Sequence, residues 1–163
     1  MATDAPNAIG ARQLFGVLGA RRWTVAVAES CTGGMLGAAL TELPGSSAFF
    51  VGGVIAYSNG VKQAMLGVSR STIDRAGAVS EQCVLEMAAG IRERFGVDVG
   101  IAISGIAGPD GGTDAKPVGT VWVAVSTPDR SGAGSRVHPG DRHEVRTRAV
   151  DQALALAIEY ASG

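Results

Sequence analysis

Four short apolar runs constrain this chain most: Thr24–Ala28, Phe49–Tyr57, Val97–Ser104 and Thr120–Thr127. None shows the clean alternation of apolar and polar residues that a strand with one wet face requires. Such strands are buried on both sides, and helices laid over both faces of a mostly parallel sheet achieve that. In the second run, Val54, Ile55 and Ala56 are too apolar for an exposed edge. The helices lie between the runs. Leu14, Phe15, Val17 and Leu18 form one stripe, and Met35, Leu36, Ala39, Leu40 and Leu43 another, ended by Pro44-Gly45. A short helix carries Lys62. Val84, Met87, Ala88, Ile91 and Phe95 mark a longer one, with Ser80 as its cap and Gly96 beyond its end. After a Gly/Ser-rich turn, Ser135–His138 is predicted as a short edge strand. Asp141 and Glu144 have capping-box spacing at the head of a last helix bearing Val145, Ala149, Ala153, Leu156, Ala157 and Tyr160. The expected fold is an α/β/α sandwich.

A chain of 163 residues has room for one domain, taken as 8–163, after a flexible N-terminus over 1–7. With 46% hydrophobic and 18% charged residues it is not an intrinsically disordered chain. Fourteen basic residues against fifteen acidic ones give a net charge of −1. That balance points to no nucleic-acid partner. No apolar run approaches a membrane span, so no membrane partner is expected either. Two cysteines, Cys31 and Cys83, make no disulfide scaffold. A reduced, cytoplasmic setting and no secretory signal are the expectation.

Three polar segments sit where strands run into helices, the place where open α/β sheets collect ligands. Glu29-Ser30-Cys31-Thr32-Gly33-Gly34 places hydroxyls and a thiol at a helix start. The backbone N–H groups there suit an oxyanion, or Ser30 or Thr32 is simply a helix cap. Tyr57-Ser58-Asn59 is followed by Lys62, which is either an ordinary surface lysine or, near a buried hydroxyl, a base. The Gly105–Gly119 segment holds five glycines and two prolines. It permits close backbone approach to a planar or phosphorylated ligand, or is a floppy loop.

P-loop and dinucleotide-binding glycine motifs are absent. His138 and His143, with Asp141 and Glu144, make no compelling metal-ligand set, so no metal site is expected. Arg142 and Arg146 share a face at the start of the last helix. They are either solvated or a paired fork for a phosphate, which would also offset their unfavourable place on the helix dipole.

Ala28-Glu-Ser-Cys-Thr-Gly-Gly34, Gly45-Ser-Ser47, Tyr57-Ser-Asn59 with Lys62, and Gly77-Ala-Val-Ser80 continue in order. They lead to Ser104-Gly-Ile-Ala-Gly-Pro-Asp-Gly-Gly112, Lys116-Pro-Val-Gly-Thr-Val-Trp122 and Gly140-Asp-Arg142 with Arg146. Together these stretches resemble the CinA C-terminal domain family, whose stand-alone members are nicotinamide-nucleotide (NMN) amidohydrolases. The resemblance runs from about Thr24 to Ala157. It implies a three-layer α/β/α sandwich on a mixed, mostly parallel five-stranded sheet. It also implies hydrolysis of the NMN carboxamide to nicotinic acid mononucleotide and ammonia, within pyridine-nucleotide salvage, and no cofactor. The family's serine–lysine dyad carries over to Ser30 and Lys62, with Tyr57 assisting, and the family is expected to be homodimeric. Larger relatives add an N-terminal molybdopterin-binding-like domain.

On this reading Ser30 is the nucleophile, Lys62 the base, and the N–H groups of Thr32, Gly33 and Gly34 the oxyanion donors. Arg142, Arg146, Gly105, Ala107 and Gly108 bind substrate. Two other readings stay open. One is a non-catalytic nucleotide-binding module linked to competence or DNA damage, and the other an amidohydrolase of a different small amide. His138-Pro139 departs from the apolar, non-proline pair expected there, which puts the neighbouring edge strand and the placement of Arg142 in question.

Overall fold

The computed structural model describes residues 5–163; residues 1–4 of the expected flexible N-terminus lie outside the described residues. The helices are α1 (Ala8–Arg21), α2 (Met35–Thr41), α3 (Asn59–Leu66), α4 (Arg70–Ala76), α5 (Glu81–Phe95) and α6 (Arg142–Ser162). The strands are β1 (Val25–Glu29), β2 (Phe50–Ile55), β3 (Val99–Gly105), β4 (Thr120–Ser126) and β5 (Ser131–Val137). They form one mixed sheet in the order β2-β1-β3-β4-β5. β1 pairs in parallel with β2 and β3, and β4 runs antiparallel to both β3 and β5, so β4 alone is reversed.

The central strands do alternate, in size rather than polarity. Val25, Val27, Val99, Ile101, Ile103, Val121, Val123 and Val125 pack with Leu14 and Leu18 of α1, Leu36 and Leu40 of α2, and Val145 and Leu154 of α6. Ala26, Ala28, Ala102 and Ala124 belong to the opposite core, with Val84, Met87 and Ile91 of α5. Large side chains fill one interlayer space, and small ones bring α5 down onto the other. The approach is close enough that a Cβ on Gly100 would lie 2.2 Å from the Ala88 carbonyl oxygen. Burial on both faces removed the polar signal of period two while leaving this steric one.

The helix ends follow their chemistry. The Ser80 hydroxyl accepts the Cys83 N–H, Gly96 closes α5 in the left-handed region, and Asp141 and Glu144 form a complete capping box on α6. Among the described residues no helix is long and apolar enough to cross a membrane.

Two expectations need correction. β2 is an edge strand despite its apolar sequence, and Ile55 is 56% exposed. Strand order is decided by which partners flank β1, and β3 takes its other side. β5 begins at Ser131, four residues before the predicted start at Ser135. Glycine-rich sequence disfavours a strand locally, but pairing along all of β4 overrides that preference. In addition, Asn7 at the end of the expected flexible segment donates to the Thr147 carbonyl at 3.1 Å and to Asp151 at 2.7 Å.

α3 and α5 meet at Gly90, where a Cβ would fall 1.9 Å from the Leu66 carbonyl oxygen. An ordinary helical Gly→Ala change gains about 1 kcal/mol. Gly90→Ala is instead expected to lose about 1–3 kcal/mol, because α3 must move away. Urea unfolding measures this; equal or greater stability would contradict the close packing.

Candidate active site

The site begins where β1 stops. Its last residue, Glu29, is 2% exposed, and its carboxylate turns toward the start of α2. Oε1 accepts the Thr32 hydroxyl at 2.6 Å and the Leu36 N–H at 2.9 Å, while Oε2 accepts the Gly37 N–H at 3.0 Å. The Gly34 N-cap position makes no side-chain capping bond. The helix start is thus served by Glu29, and the expected capping by Ser30 or Thr32 does not occur. Gly33 (φ 56°) and Gly34 (φ 106°) turn the chain through the left-handed region.

Ser30, released from capping, faces Lys62. α3 is capped by the Ser58 hydroxyl, which accepts the Val61 N–H at 3.2 Å. Lys62 is 1% exposed. Its Nζ lies 3.0 Å from Ser30 Oγ, 2.9 Å from the Ala56 carbonyl and 3.0 Å from the Tyr57 carbonyl. Among the described residues no carboxylate pairs with it. Burial holds its pKa below the ordinary 10.5, against a weaker opposite pull from the Cys83 and Cys31 thiols. A neutral amine offers two N–H groups and one lone pair. Two carbonyls take the N–H groups, and the lone pair is left for the Ser30 hydroxyl. After protonation the third N–H has the serine oxygen as its acceptor. The pocket therefore satisfies both states of the amine, which a proton shuttle needs.

Cys31 is the neighbouring candidate nucleophile. Burial pushes its thiol up to about 11, although the Arg146 charge acts in the other direction. It stays protonated at neutral pH, and a thiol is a poor nucleophile beside a thiolate.

These groups open into a cleft of about 200 Å³. Ligand pockets commonly measure about 300–1,000 Å³, so this cleft suits one part of a nucleotide. Of the predicted site residues, Ser30, Lys62, Tyr57, Gly105, Ala107 and Arg142 line it. Thr32, Gly33, Gly34, Gly108 and Arg146 do not, and the Gly33 N–H is donated to the Ser30 carbonyl at 3.1 Å. Tyr57 is 60% exposed, and its backbone carbonyl, rather than its hydroxyl, holds Lys62.

The two arginines point to different partners. Arg142 donates to the Gly108 carbonyl at 2.7 Å and to the Tyr57 hydroxyl at 3.3 Å. Arg146 donates Nε to the Cys31 carbonyl and Nη2 to the Thr32 carbonyl, each at 3.0 Å. The His138 ring Nε2 pairs with Gln152 Oε1 at 2.7 Å, its backbone N–H donates to the Gly119 carbonyl at 2.9 Å, and Arg148 donates to the Pro139 carbonyl. With the α6 capping box complete, His138-Pro139 does not displace the start of α6.

Glu29, Asn59, Ala78, Val79 and Ser104 are site residues that sequence reasoning did not single out. A carboxylate at the end of an otherwise apolar run was the available signal for Glu29. Ser104 is the next-to-last residue of β3, and its hydroxyl donates to the Ala78 carbonyl at 2.8 Å, tying the 77–80 segment to the strand. Among the described residues no group of His, Cys, Asp and Glu is arranged to hold a metal ion.

A family model described as the CinA C-terminal domain matches residues 9–161. A CinA-like protein of Gemmatimonas aurantiaca is 58% identical over 134 residues, 82% of this chain and 31% of that protein. The chain spans about a third of the length of several such curated relatives. The nicotinamide-nucleotide amidohydrolase PncC of Enterobacter agglomerans is 47% identical over 147 residues, 90% of either chain. The crystal structure of a CinA superfamily protein of Klebsiella pneumoniae superposes with a TM-score of 0.92 at 39% identity. That match covers 97% of this chain and 99% of the other.

The buried, protonated state of Cys31 has a direct consequence. At about pH 7.5 iodoacetamide should leave Cys31 largely unmodified over a time in which the urea-unfolded chain reacts fully. Mass spectrometry of the Cys31 peptide measures this. Rapid alkylation in the folded protein would mark an activated thiolate.

Proposed function

The chain belongs to the CinA C-terminal domain family, and on that premise we propose that it hydrolyses the carboxamide of nicotinamide mononucleotide to nicotinic acid mononucleotide and ammonia. The observation that carries this reading is the buried, uncompensated Lys62 amine 3.0 Å from Ser30 Oγ. A non-catalytic nucleotide-binding module has no use for such a pair.

Ser30 Oγ attacks the amide carbon while its proton passes to Lys62 Nζ. The Gly33 N–H is committed within the turn and neither Thr32 nor Gly34 lines the cleft, so the oxyanion is not assigned to these three groups. As the intermediate collapses, Lys62 returns the proton to the departing nitrogen, and ammonia leaves. The nicotinoyl ester on Ser30 is then cleaved by water, with Lys62 again as the base. Serine and lysine form a known variant of nucleophile–base catalysis. The product would serve pyridine-nucleotide salvage.

The remainder of the nucleotide extends beyond the cleft, with Gly105 and Ala107 in its wall and Arg142 at hand for the phosphate. The proposed homodimer finds support in Val51 and Ile55, both exposed on the edge strand β2.

An ammonia-release assay on NMN tests the reading. Ser30→Ala should lower kcat by about three orders of magnitude or more, Lys62→Ala should do the same, and combining them should add little. Cys31→Ala should keep most activity, and a chelator should not alter the rate, because Lys62 supplies the base. Since catalysis needs the neutral amine, kcat/KM should rise with pH and level off below the ordinary lysine value of 10.5. Arg142→Ala should cost roughly ten- to hundredfold in kcat/KM for NMN, mostly through KM, and little for the riboside. No ammonia from NMN would end this reading, and a dominant loss in Cys31→Ala would move the chemistry to the thiol.

A further inference from the structure

The nucleophile turn is held by two charged side chains of opposite sign, neither of which lines the cleft. Glu29 takes donors: the Thr32 hydroxyl at 2.6 Å, the Leu36 N–H at 2.9 Å and the Gly37 N–H at 3.0 Å. Arg146 takes acceptors: the Cys31 and Thr32 carbonyls, each at 3.0 Å, from a helix more than a hundred residues away. Nη2 of Arg146 lies close over the turn, 3.4 Å from where a Cβ on Gly33 would be. A neutral serine or threonine cap would satisfy a helix start without burying a carboxylate. Charge-assisted bonds are shorter and stronger, and here five of them converge on residues 31–37, immediately after Ser30.

We infer that Glu29 and Arg146 are positioning residues which hold the Ser30 hydroxyl in line with Lys62. The inference rests on Ser30 being the nucleophile, as proposed above. It gives Arg146 a role other than phosphate binding: its Nε and Nη2 hold carbonyls of the turn, and it does not line the cleft. Arg142, which lines the cleft, is left as the phosphate candidate.

Glu29→Gln keeps the shape but turns an amide N–H₂ toward one of the backbone donors. Arg146→Lys keeps the charge but loses the fork that spans two carbonyls. An uncharged alkyl fluorophosphonate reads Ser30 directly. Its phosphorus bonds to Oγ, fluoride leaves, and the hydroxyl proton passes to Lys62. Wild-type protein should be labelled at Ser30, identified by peptide mass. Both variants should label about 10²-fold more slowly and lose about the same factor in kcat on NMN, with KM shifted by no more than about threefold. Melting temperatures report whether each variant is folded. If Glu29→Gln does not fold, Arg146→Lys decides, since its side chain is only half-buried. Raised KM for NMN with an unchanged labelling rate in Arg146→Lys would show phosphate binding and overturn the inference for Arg146. Unchanged labelling in both folded variants would overturn it entirely. If wild-type protein labels at Ser30 but leaves NMN intact, the substrate reading falls, and the labelling ratio alone supports or overturns the positioning. Failure of wild-type labelling at Ser30 would overturn both.

Discussion

The contact between Lys62 and Ser30 is the constraint around which the rest of this molecule is arranged. An amine taken out of water with no carboxylate beside it favours its neutral form. Here it is held by the Ala56 and Tyr57 carbonyls and the Ser30 oxygen, all within 3.0 Å. Each of those partners depends on a different part of the fold. The carbonyls come from the chain as it leaves β2, the serine from the chain as it leaves β1, and the lysine from α3, pressed onto α5 at Gly90. The parallel pairing of β1 with β2 brings two strand ends to one edge of the sheet, and β3 adds Ser104 and Gly105 beside them.

On the proposed mechanism the chemistry needs little equipment. Lys62 can give and take a proton without leaving a buried group unsatisfied, so one side chain would serve as base in acylation and as acid toward the leaving nitrogen. The neighbouring thiol is kept inert by the same burial that prepares the amine: low polarity lowers an ammonium pKa and raises a thiol pKa. One environment therefore favours serine over cysteine as the proposed nucleophile at adjacent positions.

The layers and the helix ends were legible in the sequence because their causes are local. Ser80, Gly96 and the Asp141–Glu144 pair each act within one helical turn, and the apolar stripes mark the faces they bury. Ser30, Tyr57 and Lys62 drew attention as polar residues just beyond apolar runs, and the roles proposed for them came from the family resemblance. What escaped depends on partners distant in sequence. β2 lies at the edge because β3 occupies the other side of β1, a fact its own apolar residues do not encode. Arg146 looked like half of an anion fork from its spacing to Arg142, but its carbonyl partners lie more than a hundred residues away. Glu29 received no role of its own within the polar segment, because its carboxylate partners, the Leu36 and Gly37 N–H groups, are brought to it only once α2 forms.

The protonation state of Lys62 tests the central claim most directly. In protein carrying ¹³C at the lysine ε-carbon, one resonance should titrate below the ordinary lysine value of 10.5 and vanish in Lys62→Met. A Lys62 resonance titrating at or above 10.5 would mean that the amine remains an ammonium beside Ser30, and the account of it as the base would be wrong.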